Sequence, residues 1–516
     1  MRLASPRRGA VRPLHLLLLV AVAGGAYGLN EYFAYKQRRQ PLTEEWRLAL
    51  ARVSGGDDAA RILDLEEAAW RPLEESDVLY RVDGESPGDW FGYTTAALGD
   101  VDGDGVADFA VGAHQNENFG ARPAPTAPPG YVVIHSGRSG ERLHRLTSSG
   151  GLSIDGTDDH FGFTIASLGD VDADGACDLA VGAYLFDGDD GLEETFDENT
   201  GGVFLFSGRA GELLRRQGGA LWGDRYGYVL DTVPDQDGDG ARDLVVSIEK
   251  AESATTIKNA GSVAIVSSAD FEQLVRWDGP GWEAHLGSAV AGLPDLDGDG
   301  RPEVLAGAFN YAEFEAERAG RGAAGILSSR GEVLLAFEGE RAGDHLGAAV
   351  APVGDVDGDG LMDVALGGVQ SGWASDFTGG GFVSVRSSST GRELWRVTSS
   401  RQGSQLGWWT APCSDRDGDG VADLLVGLPG AITVAEPLGR PGRIALLSAA
   451  TGDVIAAVEG LSPDDQFGTS CCELADLDGD GLREILVGAP ENVPGQGRPG
   501  HALVLSGRLL APGDRR

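Results

Sequence analysis

Carboxylates at alternate positions, followed by a glycine, recur seven times along a chain of 516 residues. In the first copy Asp100, Asp102 and Asp104 precede Gly105, and Val106 and Asp108 stand at positions seven and nine. The second copy carries Asp170, Asp172, Asp174, Ala176 and Asp178, and the third Asp235, Asp237, Asp239, Ala241 and Asp243. The fourth has Asp295, Asp297, Asp299, Arg301 and Glu303; the fifth Asp355, Asp357, Asp359, Leu361 and Asp363. The sixth has Asp415, Asp417, Asp419, Val421 and Asp423, and the last Asp476, Asp478, Asp480, Leu482 and Glu484. Alternate spacing lets a tight loop converge the first three carboxylates. Glycine at position six supplies a left-handed turn that a β-carbon resists. Position seven offers its backbone carbonyl, and the acid at nine closes the shell with two oxygens, which Glu303 and Glu484 do as well as Asp. An all-oxygen set of this density suits Ca²⁺, whereas Mg²⁺ prefers octahedral sites that keep several waters. Merely acidic turns are the poorer reading, because four carboxylates within a few Å repel by several kcal/mol without a cation. Up to seven Ca²⁺ are therefore expected. Loop two has Ala173 where the others have Gly, at a position without a ligand role.

The elements that position these loops are legible from a second recurrence. Eight residues before each loop's first position stands a glycine preceded by an apolar residue: Phe91-Gly92, Phe161-Gly162, Tyr226-Gly227, Leu286-Gly287, Leu346-Gly347, Leu406-Gly407 and Phe467-Gly468. After each loop comes a Val-Gly-Ala-like triplet centred on Gly112, Gly182, Ser247, Gly307, Gly367, Gly427 or Gly488. Segments such as Tyr131–Ile134, Val203–Phe206 and Arg142–Leu146 follow and read as half-buried strands. Each unit thus holds four strands, and seven such units predict an all-β fold, a seven-bladed β-propeller closed on itself. The last unit stops after His501–Leu505 without a fourth strand. The missing strand is expected at the other end, over residues 77–82, latching the ring.

Composition bounds the rest. Hydrophobic residues are 41% and charged ones 23%, enough for a core, and 80 glycines disfavour a mostly helical protein. A net charge of −39 excludes binding along nucleic-acid phosphates. Cys177, Cys413, Cys471 and Cys472 are too few for a disulfide scaffold and read as buried or incidental. Arginines before the apolar run Leu14–Leu29 give residues 1–29 the layout of a signal peptide or an uncleaved N-terminal membrane anchor. Both put the bulk of the chain outside the cytoplasm: periplasmic, cell-surface or secreted. Residues 30–76 read as a helical spacer. Leu42, Trp46, Ala49, Leu50 and Val53 share one helical face, and a second helix is expected from about Asp58 to Trp70. The propeller is expected over 77–509, with a tail at 510–516.

The Phe-Gly pairs, acidic loops and Gly-Ala-Pro elements in register, complete at Gly488-Ala489-Pro490, resemble the FG-GAP repeat family and the N-terminal propeller of integrin α subunits. The resemblance covers about 430 residues from 77 to 509, and takes a bacterial form without integrin leg domains. Phe becomes Leu in units four to six, and unit three has Val246-Ser247-Ile248. Integrin propellers carry the loop in only some blades, whereas all seven have it here. The resemblance implies a calcium-binding adhesion or recognition module whose unknown protein or glycan ligand docks on the face opposite the loops. Aromatics of the second-to-third connections and blade links would form that surface: His114, Phe119, Tyr184, Phe186, Phe196, Phe309, Tyr311, Phe314, Trp373, Phe377, Trp222, Trp277 and Trp282. Arg416 represents the calcium face as a side chain that binds no metal. No catalytic motif is present, and His160, His285 and His345 share one repeat position and read as structural. A polysaccharide-active enzyme on the same scaffold, or a structural envelope protein, are the alternatives.

Overall fold

Runs of apolar residues closed by Gly and Asp form short strands, and in the computed structural model these make seven antiparallel sheets. The structure describes residues 43–53, 60–114, 130–148, 159–187, 199–221, 223–252, 258–311, 320–370, 379–430, 441–463, 465–490 and 498–510. Blade one runs Thr94–Ala97, Phe109–Ala113, Tyr131–His135, Arg142–Leu146, and the other blades repeat that order. First strands of successive blades touch around the ring, and the seventh touches the first. Second and third strands are buried on both faces, as in Phe109–Ala113, Tyr131–His135 and Gly202–Phe206. The third strands are therefore not half-buried as expected, because a neighbouring blade stacks on each side, whereas outer strands such as Arg142–Leu146 are partly exposed.

The seventh blade is built from both ends of the chain. Val78–Asp83 pairs antiparallel with His501–Leu505, with Val82 opposite Ala502. It supplies the fourth strand that the last unit lacks.

Residues 43–53 and 60–72 do not stand off from the propeller. They form a belt on its outer edge. Helix α1 (Glu44–Ala51) packs Trp46, 1% exposed, beside Trp277 in the core between blades three and four. A β-carbon at Gly325 would lie 2.7 Å from the Trp46 ring, so glycine makes the room. The Trp46 indole N–H donates to the Asp278 carbonyl at 3.3 Å, and the Glu45 carboxylate accepts the Val333 N–H at 2.9 Å. The second expected helix is absent: Arg61–Asp64 is a strand, parallel to Glu393–Thr398 of blade five, followed by a short 3₁₀ turn. Arg71–Pro72 pairs in parallel with Val454–Glu459 of blade six. The open outer edges of those blades offer unpaired backbone groups, and pairing with them outweighs local helical preference. Arg443, 3% exposed, fixes the belt by donating to both Glu66 oxygens at 2.7 and 2.9 Å while lying 4.2 Å over the Trp70 ring.

Candidate metal centres and the opposite face

Every acidic loop joins the first and second strands of its blade, so all seven crowd one face of the disc. The first carboxylate shapes the loop: Asp100 accepts N–H bonds from Gly103 at 2.7 Å, Asp104 at 3.1 Å and Gly105 at 2.8 Å. Asp102 accepts from Asp104, and Asp104 from Val106. The backbone is left-handed at two positions, with φ of 82° at Gly103 and 88° at Gly105. Position four therefore has a conformational role that the sequence reading missed, and Ala173 fills it in loop two at φ 64°.

Position nine is the buried wall of each loop. Asp108, Asp178, Asp243, Glu303, Asp363, Asp423 and Glu484 are all at most 1% exposed. One oxygen of each accepts the N–H of the loop's second residue, as from Val101 at 2.7 Å and Val356 at 2.9 Å. In several blades the other accepts an N–H from the turn between third and fourth strands, as from Gly137 at 2.8 Å and Gly208 at 3.0 Å. Asp243 Oδ1 and Glu303 Oε1 are buried with no hydrogen-bond donor among the described residues. Burial, then repulsion from loop-mates, pushes Asp243 and Asp363 up to about 6 and Glu303 up to about 7. Ligand oxygens of Asp295, Asp297, Asp299 and Glu303 lie within 4.8 Å of one another, and so do those of Asp476, Asp478, Asp480 and Glu484. Three-carboxylate groups converge likewise in loops one, two and three. Hard, converging, anionic oxygens with raised proton affinity fit a dication such as Ca²⁺.

On the opposite face, the residue before each Phe-Gly-type pair is left-handed in all seven blades. Trp90, His160, Arg225, His285, His345, Gln405 and Gln466 have φ between 50° and 60°. The three repeat histidines thus share a backbone constraint, yet their surroundings differ. His160 Nδ1 lies 3.0 Å from His114 Nδ1, and burial lowers it to about 4. Burial alone would depress His285, but hydrogen bonds to Glu249 and Glu283 outweigh it and lift it to about 9. On this face Phe163 packs tilted or edge-on against Tyr93, Tyr184 and Tyr228, with ring centroids 4.6 to 5.1 Å apart.

The expected recognition surface needs correction. His114, Phe186, Tyr311 and Trp277 are buried and pack inward. Phe309 lies between His285 and His345, while Tyr184 and Trp282 are half-buried. Phe119, Phe196, Phe314, Trp373, Phe377 and Trp222 lie outside the described residues. Arg416 is no free surface side chain: it is 5% exposed and paired with Glu473 at 2.8 Å. The first residue after the second strand varies from blade to blade, whereas a buried acid two residues before the Phe-Gly pair recurs. Asp89 accepts from Phe91 N–H and Asp465 from Phe467 N–H, both at 3.1 Å. That acid stands at a fixed offset and was open to detection.

The fold and the loops define a closed seven-bladed propeller with one acidic face. The FG-GAP repeat model matches residues 91–122, from the first Phe-Gly pair past the second strand of blade one. The chain is 28% identical to Integrin alpha-5 of Xenopus laevis over 250 residues, which covers 45% of this chain and 22% of that protein. It is 25% identical to Integrin alpha-V of Gallus gallus over 226 residues (43% and 20%). With Integrin alpha-PS5 of Drosophila melanogaster the identity is 30% over 181 residues (33% and 16%). The chain thus carries an FG-GAP repeat match in its first blade and is similar to integrin α subunits, with matches that span about a fifth of their length. Among the described residues no helix is long and apolar enough to cross a membrane, and the apolar run Leu14–Leu29 lies outside them.

Proposed function

We propose that the protein is an exported, calcium-stabilised propeller that serves as a binding or adhesion module for a protein or glycan. The convergence of carboxylate oxygens in the acidic loops carries this reading. In each loop the ligands would be the carboxylates at positions one, three and five, the carbonyl at seven and the acid at nine, as in Asp100, Asp102, Asp104, Val106 and Asp108. Calcium would supply the positive charge that holds these groups together. Similarity to integrin α subunits supports binding over catalysis, and supports a cell-surface or secreted location. The ligand site is assigned to the face opposite the loops, where the half-buried Tyr184 and the exposed Trp408 stand.

Calcium titration by calorimetry and thermal melts with and without EDTA test the metal half. Ions that bind only the folded state raise the melting temperature, and an unchanged melt after confirmed metal removal contradicts the assignment. A glycan and protein array with and without Ca²⁺ tests the ligand half. Retention without turnover supports a binding module, and release of product from a polysaccharide supports an enzyme instead. With a ligand in hand, Trp408→Ala should weaken binding and Glu141→Ala, exposed on the loop face, should not; the reverse result swaps the faces.

A further inference from the structure

The seven loops are not equivalent, and the difference comes from outside them. The segment that follows the third strand of each blade hangs beside the loop of the same blade, a turn into the fourth strand in blades one to six and a short 3₁₀ turn in blade seven. Its third residue is Arg138, Arg209, Arg330 or Arg508 in blades one, two, four and seven, and Ala269, Ser389 or Ala450 in blades three, five and six. Each arginine reaches the carboxylate at position five. Arg138 Nε lies 2.7 Å from Asp104, Arg330 Nε 2.9 Å from Asp299, Arg508 Nε 2.5 Å from Asp480, and Arg209 Nε 3.6 Å from Asp174. Arg138 also donates to the Asp104 carbonyl at 2.6 Å. In blades five and six the side chains that reach the same carboxylates from this segment are hydroxyls, Ser389 on Asp359 and Ser448 on Asp419.

We infer that these four arginines divide the calcium loops into two affinity classes, loops three, five and six binding tightly and loops one, two, four and seven weakly. The inference rests on the calcium assignment above. In loops one, four and seven the guanidinium takes one carboxylate oxygen while the loop backbone holds the other, as Val106 holds Asp104 Oδ1; in loop two Arg209 lies beside the oxygen that the Ala176 N–H already holds. A cation entering must share or displace the arginine. The arginine also cancels one of four loop charges, and affinity in oxygen-ligand loops follows ligand charge count and site rigidity. A unit charge a few Å from a dication in a water-rich setting weakens binding by about three- to tenfold. The arginines are 46% to 69% exposed, so removing them leaves the core intact.

The test is calcium titration of the full chain by calorimetry, with terbium luminescence as an independent count of sites. The wild type should show three tight and four weaker sites. Arg138→Ala with Arg330→Ala should move two sites into the tight class, and Ala269→Arg with Ala450→Arg should move two out of it. Thermal melts in saturating calcium check that each variant is folded. Seven ions in a single class, unmoved by either double variant, overturn this inference and leave the calcium assignment standing. No ion bound at all overturns the assignment itself.

Discussion

At the residue scale, the motif glycines are places where two backbones meet. A β-carbon on Gly112 would lie 2.3 Å from the carbonyl oxygen of Gly162 in the next blade, and one on Gly488 would strike the Gly92 carbonyl across the ring closure. Gly112→Ala should lose about 1–3 kcal/mol, read as a lower urea midpoint, since overpacking against backbone cannot relax. Ala173→Gly should do the opposite. It relieves a left-handed alanine, a cost of about 1–2 kcal/mol, and the gain is trimmed by the freer unfolded chain; an unchanged midpoint in saturating calcium would contradict this. These pairs were legible because they keep a fixed distance from the acidic loops. A third glycine was not. Gly130, Gly201, Gly261, Gly322, Gly381, Gly442 and Gly500 each press against the Phe-Gly pair of the next blade, but connections of unequal length precede them and hide the period. Proton affinities add a prediction. Without calcium, Asp243, Asp363, Asp423 and Glu303 have folded values raised to about 6 to 7. The folded state then binds more protons than the unfolded one, and stability is lost as pH rises through that window. Calcium removes the penalty, so the gap in melting temperature between loaded and EDTA-treated protein should widen from pH 5 to pH 8. A gap independent of pH would argue against loops that hold the ion through these acids.

At the element scale, the belt is the largest departure from the sequence reading. Its helix was visible because Trp46 and Ala49 fall on one helical face and are both buried. Its strand was not, because four residues paired in parallel to a distant edge leave no local period, and Arg61–Asp64 owes its shape to Glu393–Thr398. Trp46→Ala should cost about 3–5 kcal/mol, as for other fully buried tryptophans. Glu66→Ala should cost somewhat less than the 3–5 kcal/mol typical of a broken buried ion pair, since Glu66 is partly exposed and Arg443 is the deeper partner. Proteolysis within residues 60–72 should accelerate in the Glu66 variant if the belt is held from that point. Equal cleavage rates would place its anchorage elsewhere.

At the scale of the whole molecule, the closed ring and the number of blades were readable because one pattern recurs seven times, and the final blade was readable from its missing strand. The composition of the opposite face was not, because burial of rings such as Phe186 and Tyr311 depends on how each connection folds back. A chain beginning at Glu85 loses Val78–Asp83 and leaves His501–Leu505 with an open edge, so it should aggregate more than one beginning at Ser76, which lacks only the belt; light scattering compares them, and equal aggregation would contradict the latch. The same pairing has a consequence in time. Val78–Asp83 is made before any blade, and its partner strand is the last to be made. At about 5–20 residues per second the earliest strand waits on the order of a minute for the latest. Helix α1 and the Arg61–Asp64 strand wait too, for blades four and five. The nascent chain therefore travels with its first strand unclaimed, and the ring can close only once His501–Leu505 has been made.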